Sequence, residues 1–186
     1  MTMSSQPTTR PKSRPAFLAL ISHVGRLIVF RGSPADLRIS TPSLYGLLGT
    51  SILVAILVRV GLPNVTFARA VVHALGEIGI ALAIIGVALR VCNLTDRFAQ
   101  ATASLLLVSL FADLTFLCTR PIVDTTAGPI LLSVLFVAQI TAFLQIVRRS
   151  LERSWIAPVL VLFAYVLLVA NFFSVTEKIA RSLGSG

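Results

Sequence analysis

The chain has 186 residues, of which 56% are hydrophobic and only 12% charged, with a mean hydropathy of +0.92 and a formal net charge of +9. Soluble domains carry about a quarter charged residues, so a water-soluble fold would have nowhere to put this much apolar surface. The sixteen Lys and Arg border apolar runs with no RNA- or DNA-binding motif between them, which argues against nucleic acid as a partner and for membrane topology and anionic lipid head groups.

Residues 1–15 contain Arg10, Lys12 and Arg14, no acid, and Pro7, Pro11 and Pro15. Such a composition cannot bury a core and reads as a disordered arm. The prolines oppose an amphipathic targeting helix, and His23, Gly25 and Arg26 break the apolar stretch that a secretory signal needs. From Ala16 to Arg31, Phe17, Leu20, Ile21, Val24, Leu27 and Ile28 recur at helical spacing opposite Ser22, His23 and Arg26. The pattern predicts an amphipathic helix lying in the interface plane, with His23 toward the head groups. A helix packed on neighbouring spans would carry the same pattern. Arg26, Arg31 and, further on, Trp155 are the expected lipid-interface residues.

Ser33, Pro34 and Asp36 then form a capped turn, and Thr41-Pro42 repeats the cap-plus-proline device to close the 16–42 region and start the first span. Five apolar runs follow at 43–62, 70–91, 98–118, 129–147 and 156–175, ahead of a tail at 176–186. Each is close to the roughly 20 residues that a helix needs to cross about 30 Å of hydrocarbon. The connections are too short to hold a soluble domain. The expected fold is therefore an all-α polytopic transmembrane bundle of about five spans, preceded by an amphipathic interfacial helix. An N-terminus in the cytoplasm puts Arg10, Lys12, Arg14, Arg26, Arg31, Arg38, Arg90, Arg97, Arg148, Arg149 and Arg153 inside, as the positive-inside rule favours. Arg59, Arg69, Arg120, Lys178 and Arg181 then lie outside.

Acids inside a span cost about 2.5 to 3.5 kcal/mol on insertion scales and are functional candidates by default. Glu77 and Asp113 fall in the same leaflet, His73 precedes Glu77 by one helical turn, and Asn171 belongs to the same layer. The sequence predicts a polar cluster of His73, Glu77, Asp113 and Asn171, with Arg59, Arg69 or Arg120 as counter-charge. Such groups either fix helix register by pairing, or handle protons or cations. Gly76, Gly79, Ala83 and Gly86 give the second span a small-residue packing face, which predicts that this span is the centre of the bundle. Gln139 and Gln145 are placed to bond across helices.

No GxSxG, HExxH, P-loop or cofactor signature accompanies the acids, so no enzymatic activity, catalytic residue, metal or cofactor is expected. Cys92 and Cys118 are separated by about the thickness of the bilayer, too far for a disulfide. The five short-looped spans resemble the Yip1-type membrane domain, and the entry Phe30-Arg31-Gly32-Ser33-Pro34-Ala35-Asp36-Leu37 is similar to that of small bacterial inner-membrane proteins. The resemblance implies a bacterial inner membrane but no reaction, and it transfers no functional residue. The expected function is a small accessory, assembly or scaffold subunit, whose partners are membrane lipids and other membrane-protein subunits or a second copy. The alternative is a proton-coupled or ion-conducting transporter that works through Glu77 and Asp113.

Overall fold

A computed structural model describes residues 22–26, 31–37, 39–62, 65–123, 125, 127–152 and 155–184. Five helices dominate: α1 (Thr41–Val60), α2 (Phe67–Val91), α3 (Phe98–Val123), α4 (Gly128–Leu151) and α5 (Ile156–Gly184). Each is long and apolar enough to cross a bilayer. There is no strand among the described residues. The chain is an all-helical integral membrane protein. The arm at 1–15 and most of the 16–31 stretch lie outside the described residues.

Local chemistry sets the helix ends. Ser40, rather than Thr41, caps α1: its hydroxyl accepts from the Ser43 N–H at 3.4 Å, and Pro42 sits in the first turn, where its missing N–H costs nothing. Thr66 caps α2 in the same way through the Arg69 N–H at 3.4 Å. At the far end of α2, Leu94 N–H returns to the Leu89 carbonyl at 2.8 Å, and Asn93 takes a left-handed φ of 57° that Asn tolerates better than most residues. This reversal feeds a 3-10 turn, Thr95–Arg97, directly into α3. Several helices outrun the expected spans. Thus α4 continues through Arg148 and Arg149 to Leu151, since a long basic side chain can reach the interface while its backbone stays helical.

The helices pack in the order α1, α2, α5, α4, α3, with α3 returning to α1. The buried face of α2 is Ala70, Ala74, Ala81, Ile85 and Leu89. Its second half meets Ala101 and Leu105 of α3 and Phe143, Val147 and Leu151 of α4 in the main core. The second span is not the centre of the bundle, however. The most enclosed element is α3, where eight successive residues, 101–108, are buried.

The N-terminal segment explains that enclosure. Residues 22–26 form a short helical stretch whose Val24 packs on Leu107 and Val108 of α3 and on Ala142 and Ile146 of α4. His23, expected among head groups, is instead buried, with Nε2 3.3 Å from the Ser104 hydroxyl. Gln145 donates to the Gly32 carbonyl at 3.4 Å. Ser104 and Gln145 each stand six residues from the nearer end of their helix, about 9 Å along the axis. Residues 22–26 and Gly32 therefore pack on α3 and α4 at about the same depth. The chain turns into α1 through the 3-10 helix Pro34–Asp36, where the Ser33 hydroxyl accepts from Ala35 N–H at 3.3 Å.

Candidate functional site

Arg69, His73 and Glu77 are four residues apart and share one face of α2. That face is turned toward α5, which runs alongside it, and its last member also reaches α1. Glu77 forms an ion pair with Arg59, in the last turn of α1. Arg59 Nη1 also donates to the Ala55 carbonyl at 2.9 Å, which fixes the guanidinium against its own helix. The Tyr165 hydroxyl of α5 donates to the other carboxylate oxygen, Glu77 Oε1, at 3.2 Å, and the Tyr165 ring stacks on Phe143 of α4 with centroids 5.5 Å apart. One carboxylate thus joins α1, α2 and α5, and the Tyr165 ring extends the contact to α4.

One turn from Glu77, the His73 Nε2 is 3.1 Å from the Thr176 hydroxyl, and its ring lies 4.5 Å from that of Phe173. One turn further, Arg69 pairs with Glu177. Between these rungs the Phe172 ring covers Gly76, and a β-carbon at Gly76 would run into it. Gly76 therefore permits the close approach of α5 that brings the rungs within reach. The pairing also settles a cost. A lone charge in hydrocarbon is expensive, whereas a matched Arg and Glu enter it as a neutral unit.

Asp113 of α3 is half-buried and close enough to sense the charges of Arg59 and Glu77, yet it makes no direct hydrogen bond or ion pair among the described residues. Asn171 departs from the expected cluster: it is exposed, and its side-chain amide donates to the Leu167 carbonyl of its own helix at 2.7 Å. Arg120 is exposed, lies over Gly61 and forms no ion pair among the described residues; Arg59 is the counter-charge of Glu77 and Arg69 that of Glu177. The small-residue face of α2 divides. Gly76 meets Phe172 and Gly86 lies against Phe98, but Gly79 and Ala83 are exposed on the outside of the bundle, and nothing lies within 4 Å of a β-carbon placed on Gly79.

At the opposite end, Arg26 and Arg31 are exposed, and Arg148 stacks over Trp155 at 4.3 Å from the ring centroid. Arg97 pairs at 2.6 Å with Glu152, which closes α4 in the left-handed conformation with φ 50°. No group of three or more His, Cys, Asp or Glu is placed to hold a metal ion among the described residues.

No protein family, curated protein or solved structure matches this chain. Function therefore rests on geometry. Beside the Glu77–Tyr165 pair, a cavity of about 250 Å³ opens between α2, α3, α4 and α5, with Ser109 and Gln139 as its other polar lining.

Sequence reasoning missed Tyr165, Thr176 and Glu177. Tyr165 did carry a signal, because it stands nine residues into α5 rather than at the span end where interfacial aromatics gather. Thr176 and Glu177 carried none until α5 was known to extend past 175 and to run beside α2.

Proposed function

We propose that this chain is a small accessory subunit of a larger membrane assembly and docks on a transmembrane helix of its partner through the outer face of α2 beside α5. The observation that carries this reading is the outward orientation of Gly79 and Ala83. Lipid tails gain nothing from small residues, whereas another helix does, because a small-xxx-small pair lets two backbones approach closely. Val72, Leu75 and Val87 continue the same exposed stripe. Alongside it, Ala83, Val87, Ala157 and Ala164 help to line an apolar groove of about 550 Å³ between α2 and α5. The ion pairs support the reading from the inside: they join α2 to α1 and α5 and hold the outer face in a fixed orientation. In this proposal the chain sits in a bacterial inner membrane with its N-terminus in the cytoplasm, as its basic bias favours.

The test is purification of the tagged chain in a gentle detergent or nanodisc at native expression, with mass spectrometry of whatever accompanies it. The reading expects one membrane protein at fixed stoichiometry, lost when Gly79→Leu and Ala83→Leu are combined while the chain stays folded. Recovery alone, or a partner indifferent to these substitutions, would overturn it.

A second reading, a proton- or ion-conducting transporter, is favoured by Asp113, an intramembrane acid with no direct partner among the described residues, placed beside a second acid. Under it, Glu77→Gln and Asp113→Asn abolish flux into proteoliposomes from folded protein. Under the subunit reading, wild-type liposomes show no flux for these changes to remove.

A further inference from the structure

We infer that the cavity beside Glu77 and Tyr165 binds a neutral lipid alcohol, a long apolar molecule ending in a hydroxyl, which enters sideways from the bilayer between α4 and α5. This inference is independent of the docking proposal.

The depth of the cavity limits its occupant. Glu77 lies ten residues into α2 and Tyr165 nine into α5, about 14 Å along each helix and so near the middle of a hydrocarbon layer about 30 Å thick. Phe136 of α4 and Val166 of α5, which line the cavity, are 64% and 51% exposed on the outer surface of the bundle. They mark a mouth that opens to lipid rather than to water. A molecule arriving there has to tolerate the bilayer interior, which charged phospholipid head groups do not.

The lining then selects the polar group. Leu105, Ile140, Phe143 and Leu162 supply apolar walls, against which Ser109, Gln139 and the Glu77–Tyr165 pair are the polar features. Ser109 and Gln139 make no hydrogen bond among the described residues, although unpaired polar groups in an apolar environment are costly. Glu77 offers acceptor capacity only, since Arg59 and Tyr165 already donate to it. A ligand that donates to the carboxylate and accepts from the Gln139 amide or the Ser109 hydroxyl needs both functions, and a single hydroxyl provides them. A cation is disfavoured because Arg59 already balances Glu77, and an anion because Glu77 and Asp113 stand nearby. A few well-placed polar groups in a mostly apolar cavity are the usual composition of a ligand site.

The experiment is photolabelling of the full chain in nanodiscs with diazirine-bearing diacylglycerol and, separately, diazirine-bearing polyprenol. The same diazirine chains without the hydroxyl serve as controls. The inference expects saturable labelling by at least one of the two alcohols, mapped to the α4 and α5 segments around Phe136–Phe143 and Leu162–Val166. It also expects labelling to fall at least fivefold with Gln139→Leu and with Val166→Trp, which blocks the mouth from the exposed rim and leaves the core intact. Which alcohol labels identifies the source. Labelling spread evenly over the lipid-facing surface, equal labelling by the hydroxyl-free chains, or indifference to both substitutions would overturn it.

Discussion

An ion pair in a low-dielectric setting stabilises a fold only while both partners are present, because removing one strands the other. Arg59→Met leaves the Glu77 carboxylate without its cation and is expected to destabilise the protein by about 3 kcal/mol. The added change Glu77→Gln should restore part of that loss. A thermal-unfolding double-mutant cycle in detergent reads the coupling directly. Gly76 supports a second expectation. Gly76→Ala drives a methyl group into the Phe172 ring and should cost about 1 to 3 kcal/mol as overpacking, with Phe172→Leu relieving it in the double variant. Glu77, His73 and their shared face were legible in the sequence because spacing along one helix fixes them. Tyr165 and Thr176 were not, since 88 and 103 residues separate them from Glu77 and His73. Nor did Asn171 reveal that it would bond its own helix rather than its neighbours.

The five helices were legible because a bilayer demands a length, and apolar runs of that length are visible without knowing any contact. Which helix lies inside was not legible. In water, the buried face of a helix is the apolar one. In lipid, both faces are apolar, so hydropathy is silent about which side meets protein. Small residues mislead for the same reason. The glycines of α2 suggested a central helix, while the run Ala101-Thr102-Ala103-Ser104 in α3 is fully enclosed. The two assignments predict opposite outcomes for one kind of substitution. Ala103→Leu should destabilise by about 1 to 3 kcal/mol, because the residue is fully buried. Ala83→Leu should change the stability of the isolated chain by no more than about 0.5 kcal/mol, because the residue is exposed. Melting temperatures of the two variants in the same detergent decide between the assignments.

At the scale of the whole molecule, two ion pairs tie helices together on one side of the bundle, while large apolar side chains are exposed along the helices. Arg59, Arg69, Glu77 and Glu177 pair across α1, α2 and α5, and residues 22–26 pack on α3. The anchoring of that segment is testable. Ser104→Val removes the hydroxyl that meets the buried His23 and should cost about 1 kcal/mol for the lost hydrogen bond. Limited proteolysis at residues 22–26 should accelerate with it. The sequence showed the helical spacing of this stretch, which a surface helix and a packed one share, so its position had to come from the structure. The outside includes the stripe of Val72, Leu75, Gly79, Ala83 and Val87, and the docking proposal depends on it.

The most direct test of that proposal is a photo-crosslinking amino acid placed in native membranes at Ala83, compared with the same residue at Val134 on the exposed side of α4. The subunit account predicts one discrete cross-linked membrane protein of constant mass from position 83 and only lipid adducts from position 134. Lipid adducts alone from both positions, or the same diffuse protein ladder from both, would contradict it.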